Sequence, residues 1–155
     1  MKPIFVSYAH EDKKRVRSLV EGLEEFRDFW SDWDDVPPGY NWRREINRGI
    51  RQSSCVLFFV SQASIESEWC LEELRVAIWW RKPVLPVVIQ TGLKLPRSLY
   101  NSQWVILSDD NDQNIKEILS GLAACERSFP WKAIALVEAI ALVVGAILYG
   151  IAASG

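Results

Sequence analysis

This chain of 155 residues holds only one histidine and three cysteines. His10 has no second histidine to complete a zinc site or a serine–histidine–aspartate relay, which argues against both. Cys55, Cys70 and Cys125 are odd in number and lack metal-ligand spacing. They fit a reducing compartment better than a disulfide framework. No sign of charge dominates: Lys and Arg number 18, Asp and Glu 20, for a net of −2. A nucleic-acid footprint would need a basic excess. Internal repeats and low-complexity tracts are missing. The opening MKPIFVSY has no apolar run of the kind a signal peptide carries.

The most distinctive stretch is the opposite end. Residues 131–155 read WKAIALVEAIALVVGAILYGIAASG, with Glu138 the one charge after Lys132. At ~1.5 Å per helical residue, residues 133–153 are long enough to cross a hydrocarbon core of ~30 Å. The expectation is one transmembrane helix over 132–154, a junction over 127–131 and a folded domain over 1–126. Arg127 and Lys132 precede the span and no charge follows it, so the positive-inside rule puts the domain in the cytoplasm. The expected location is the cell inner membrane, single-pass, inserted after translation. Within the span, Glu138, Ala141, Gly145 and Tyr149 share a face. Small residues four apart let helices approach closely, so this face is expected to contact a partner helix.

Ahead of the tail, hydrophobic periodicity alternates between two values. Residues 3–7, 29–33, 55–60, 84–89 and 104–107 read as five short strands; CVLFFV at 55–60 is apolar on both faces, as a central parallel strand would be. Between them, Val16, Leu19, Val20, Leu23 and Phe26 fall at helical spacing after Asp12, a candidate N-cap. Helices are also expected over 42–52, over 67–80 with Leu71, Leu74 and Ile78 on one face, and from a capping box at Asp110 and Gln113 to Ala124. Residues 34–39 and 61–66 read as loops. Alternating strands and helices imply an α/β fold with a parallel sheet covered on both faces.

Three blocks resemble a TIR (Toll/interleukin receptor) domain. They are Ile4-Phe5-Val6-Ser7-Tyr8-Ala9-His10-Glu11-Asp12, then Trp33-Asp34-Asp35-Val36-Pro37-Pro38-Gly39 with Trp42, Glu45 and Ile46, then Ser64 and Ser67 with Trp69-Cys70-Leu71-Glu72-Glu73-Leu74. The resemblance implies a five-stranded, flavodoxin-like sheet whose ligand crevice lies beyond the carboxyl ends of its first and third strands. Many members of the bacterial type hydrolyse NAD+ at the nicotinamide–ribose bond, and the carboxylate they use falls at Glu73. Pro37, Pro38 and Gly39 match the loop through which such domains assemble. NAD+ is then a substrate; no cofactor and no metal is implied.

One carboxylate suffices for that reaction. Nicotinamide leaves a cationic ring as a neutral molecule, so no general acid is required. What remains is to stabilise positive charge on the ribose. By residue type alone, Glu73 could equally be a solvated helical charge. Tyr8, Trp33 and Trp42 are candidates to stack on nicotinamide or adenine, or to pack beneath loops. Ser7 and Ser64 could bond phosphate or ribose, or cap local backbone. His10 and Trp69 complete the substrate-contact candidates; a solvated loop residue and a packing anchor are their plain alternatives. The expected function is clustered NAD+ cleavage at a membrane, in bacterial anti-phage immunity. Its partners would be lipid, further copies of the chain, and another TIR or sensor protein. A non-catalytic signalling scaffold and a membrane-disrupting effector gated by the domain are the alternatives.

Overall fold

The computed structural model describes residues 2–31, 42–94, 96–99 and 102–128. Five strands form one parallel sheet in the order β2-β1-β3-β4-β5. They are β1 (Ile4–Ser7), β2 (Phe29–Trp30), β3 (Cys55–Val60), β4 (Val84–Val88) and β5 (Val105–Ile106). The helices are α1 (Lys13–Leu23), α2 (Trp42–Gln52), α3 (Gln62–Glu66), α4 (Glu68–Trp79) and α5 (Asn111–Ser128), with short 3-10 turns at His10–Asp12 and Arg97–Leu99.

Strand alternation decides which helix each side chain meets. Ile4, Val6, Cys55, Leu57 and Phe59 point to one face, where Val16, Leu19 and Val20 of α1 and Ile118 and Leu122 of α5 close over them. Phe5, Val56, Phe58 and Val60 point to the other, against Ile46 and Ile50 of α2 and Cys70, Leu74 and Ala77 of α4. Every residue of β3 is buried, the requirement for a strand covered on both sides. Trp30 stacks on Phe5 with ring centroids 4.8 Å apart. α2 lies so close to that indole that a Cβ on Gly49 would come within 3.0 Å of it.

Several local expectations change. Residues 62–66 form α3 rather than a loop, because Ser61 and Ser64 cap each other reciprocally. Asp12 makes no cap bond to α1; its carboxylate accepts a hydrogen bond from Ser61 instead. Only half of the expected capping box on α5 forms. Asp110 accepts from the Gln113 backbone, but the Gln113 side chain turns to Glu117. α5 runs on to Ser128, not Ala124. On α4 the buried stripe is Cys70, Glu73, Leu74 and Ala77, while Ile78 is 48% exposed. Phe26 falls beyond the end of α1 and is exposed.

No helix among the described residues is long and apolar enough to cross a membrane. The span expected over 132–154, with Glu138, Ala141, Gly145 and Tyr149, lies outside the described residues, as do Trp33, Pro37, Pro38 and Gly39.

Candidate functional site

β1 and β3 are neighbours, but the chain runs from β1 to the sheet edge before returning to β3. Strand order therefore reverses between them, the point at which sheets of this kind bind ligands beyond the strands' carboxyl ends. Ser7 is the last residue of β1 and pairs with Phe58. Two residues after Phe5, it points to the same sheet face, the face that α4 covers. Glu73 lies inside the buried stripe of α4, three residues after Cys70 and four before Ala77.

The two side chains meet. The Ser7 hydroxyl donates to Glu73 Oε2 at 2.5 Å, across 66 residues of sequence. Ser7 is 1% exposed and Glu73 8%. A buried carboxylate is expensive without partners, so its placement needs donors such as this one. Neighbouring Glu72 instead turns outward and pairs with Arg75 at 2.9 Å. Of two adjacent glutamates, helical geometry buries one and solvates the other.

A second bond closes the loops around this point. Ser61, directly after β3, donates to Asp12 Oδ2 at 2.5 Å. It ties the 3-10 turn after β1 to the cap of α3. Ser64 is fully buried: its hydroxyl donates to the Ser61 carbonyl and accepts from the Ser61 amide. Of the two roles open to Ser64 from the sequence, the local cap is the one seen here. Ser7 likewise serves Glu73 rather than open solvent. Tyr8 is half-buried against the α1/α5 core, and His10 is exposed at the head of the 3-10 turn. Trp69 is 53% exposed on the first turn of α4, one turn before Glu73. Trp42 begins α2, and its side chain lies outside the described residues.

Cys70 reports the electrostatics. Burial pushes its thiol up to about 11; the Ser67 hydroxyl opposes that, and the charges of Glu73, Asp12 and Glu11 add to it. The three carboxylates thus oppose ionisation of the thiol. The thiol stays protonated near neutrality, so Cys70 is no nucleophile. The unfolded thiol ionises near its ordinary value of 9 while the folded one holds its proton to about 11. Between those values the unfolded chain binds fewer protons, so stability falls as pH rises. Two pKa units correspond to about 2–3 kcal/mol. Cys70→Ala is expected to flatten the fall of Tm between about pH 9 and 11.

A cavity of about 730 Å³ opens on the α1/α5 side, lined by Asp12, Lys14, Arg15, Ser108 and Asn114 among others. Asp12 belongs to its wall and also accepts from Ser61 after β3; Glu73 does not line it. Among the described residues, no group of three or more His, Cys, Asp or Glu is arranged to hold a metal ion.

Asp12 and Ser61 were missing from the candidates read in the sequence. The signal was present, since both sit in the loops after β1 and β3, but nothing local pairs residues 49 apart.

Comparison with known proteins agrees with this architecture. Toll-like receptor 4 of Bos taurus is 32% identical over 115 residues, covering 64% of this chain and 13% of the receptor. The match is thus a small part of the relative's length. The TIR domain of a Toll-related receptor from Hydra magnipapillata superposes with a TM-score of 0.67 at 16% identity, covering 79% of this chain and 99% of that one. A CMP N-glycosidase of Clostridium botulinum superposes with a TM-score of 0.56 at 19% identity, covering 76% and 97%. The family profile described as TIR domain matches residues 4–119, and on that span the chain belongs to the TIR domain family.

Proposed function

We propose that this protein is a membrane-anchored NAD+ glycohydrolase, cleaving the nicotinamide–ribose bond when its copies cluster. The observation that carries the reading is the buried Glu73 carboxylate, held by Ser7 at the carboxyl ends of β1 and β3. NAD+ brings a cationic ring to this carboxylate. As nicotinamide departs, positive charge moves onto the ribose, and a carboxylate fixed beforehand stabilises it without reorganising. Water then attacks the anomeric carbon, giving ADP-ribose and a proton. Tyr8, Trp69 and Trp42 are the aromatic candidates to flank the bases. The likeness in fold to a CMP N-glycosidase supports the bond class, an N-glycosidic link to ribose.

Anchoring through residues 132–154 would place copies on one cytoplasmic surface of the inner membrane. Tethering makes weak contacts effectively intramolecular. Contacts through Pro37, Pro38 and Gly39, and through the tail face of Glu138, Ala141, Gly145 and Tyr149, would then complete the site. Such an enzyme fits anti-phage defence, in which NAD+ loss stops the cell. The likeness to Toll-like receptor 4 favours a second reading, a scaffold that recruits other TIR domains without chemistry.

Full-length protein reconstituted in liposomes at rising density, incubated with NAD+ or with CMP, separates these readings. Nicotinamide release should climb more steeply than protein density. Release from CMP alone would keep the bond class and replace the substrate. No release from either at any density would leave the scaffold.

A further inference from the structure

α5 lays an apolar stripe along the sheet. Ile118, Leu122 and Cys125 recur at intervals of four and three residues, so they share one helix face. Ile118 and Leu122 are fully buried in the core that also holds Cys55, and half-buried Cys125 packs against that core. The helix lies close to the strands. A Cβ on Gly121 would come within 2.8 Å of the Leu85 side chain. Leu85 pairs in register with Leu57, which stands two residues beyond Cys55 on the same sheet face.

A helix that follows a strand of a parallel sheet runs back against it. The carboxyl end of α5 therefore returns to the amino ends of the strands, where Cys55 opens β3. A hydrogen bond fixes this alignment: the Ser54 hydroxyl donates to Glu126 at 2.9 Å. The residue before Cys55 is thus bonded to the residue after Cys125. Arg27 pairs with the same carboxylate and holds it in place. Beside these contacts the two sulfurs meet, both as thiols, hydrogen-bonded to one another. The hydrogen bond makes them unequal. It raises the Cys55 thiol, and burial adds to the rise. It lowers the Cys125 thiol, although burial and the charge of Glu126 oppose it. Cys125 is also the one of the two that solvent reaches, while Cys55 is fully buried. Cys70 is the contrast: it lies in the core on the other sheet face, its thiol pushed up to about 11.

We propose that Cys55 and Cys125 form a reversible thiol–disulfide site, oxidised by hydrogen peroxide that enters at Cys125. The Cys125 thiolate attacks one peroxide oxygen, the O–O bond breaks, and hydroxide leaves and takes up the proton that the thiol gave away. The product is a sulfenic acid on Cys125. The Cys55 sulfur then attacks the Cys125 sulfur. The S–S bond forms, the S–O bond breaks, and the departing hydroxide leaves as water with the Cys55 proton. Two thiols are oxidised and one peroxide is reduced to two waters. A dithiol reverses the bond by exchange. In a reducing compartment such a bond is transient, a sensor rather than a permanent staple. It pins the last turn of α5 to the start of β3. The site lies at the opposite end of the sheet from Ser7 and Glu73 and is independent of the chemistry proposed there.

The test treats the full chain with hydrogen peroxide in slight molar excess, quenches with catalase, then denatures and alkylates with iodoacetamide. The three thiols open to alkylation should fall to one, at Cys70, and a peptide map should join positions 55 and 125. Dithiothreitol should restore all three. The oxidised chain should melt about 10 °C higher, because the cross-link closes a long loop. Cys55→Ala should halt the reaction at the Cys125 sulfenic acid, trapped by dimedone. Cys125→Ala should slow oxidation at position 55 by about tenfold or more. The wild-type thiol count needs neither variant to fold. Three alkylated thiols after peroxide, a lasting dimedone adduct on wild-type Cys125, or a bond between copies through Cys125 would each overturn the proposal. So would a 55–125 bond that forms only in denaturant, because sulfurs already in contact need no unfolding to join.

Discussion

Glu73→Gln is expected to reduce nicotinamide release by about a thousandfold while leaving the fold intact. The substitution keeps the shape of the side chain and an oxygen that can accept from Ser7, but removes the charge. A carboxylate about 4 Å from a developing cation, at an effective dielectric of about 20, contributes roughly 4 kcal/mol. Each ~1.4 kcal/mol is a factor of ten in rate, which sets the scale. Glu72→Gln serves as the matched control. That carboxylate is half-exposed and paired with Arg75, so its loss should change turnover less than about twofold. Glu73→Asp keeps the charge but retracts it by one methylene, and should fall between the two. Equal losses at 72 and 73, or none at either, would remove Glu73 from the chemistry. Circular dichroism and Tm of each variant separate lost catalysis from lost structure.

Ser7→Ala should weaken both the fold and the reaction, through the same bond. A hydrogen bond to a charged group is worth about 1.5–3 kcal/mol, and its loss leaves buried Glu73 short of a donor. The expected fall in kcat is about tenfold, because the carboxylate keeps its charge but loses its aim. A double-mutant cycle isolates the term: Ser7→Ala should cost less stability in the Glu73→Gln background than in the wild type. If the two costs are equal, the hydroxyl acts on something other than the carboxylate. Affinity for NAD+ should change little, which distinguishes a positioning group from one that touches the substrate. A large rise in KM with kcat unchanged would return Ser7 to the substrate-contact role first read for it.

How far the sequence could be read is visible at α4. The helix itself, its start after Ser67 and its burial against the sheet all follow from local pattern. The stripe does not. Leu71, Leu74 and Ile78 form an apolar line at helical spacing, yet the fold buries Cys70, Glu73, Leu74 and Ala77. α4 packs where a cysteine, an alanine and a carboxylate are accommodated, and it exposes an isoleucine. An apolarity scale favours the wrong face because one position on the right face carries charge. Likewise residues 61–66 lack a long apolar period, so only the reciprocal cap of Ser61 and Ser64 reveals α3.

Five strands, their parallel arrangement and their separation by helices were determined by sequence alone, because hydrophobic period and turn residues act over a few positions. The same locality makes the apolar character of residues 133–153 readable without coordinates. Tertiary structure decided which hydroxyl meets which carboxylate. Ser7 lies 66 residues from Glu73, and Ser61 lies 49 from Asp12. No period or motif spans such distances. They close only when β1 and β3 align in register and α4 is laid across them, since a hydrogen bond requires its atoms within about 3 Å whatever their separation along the chain.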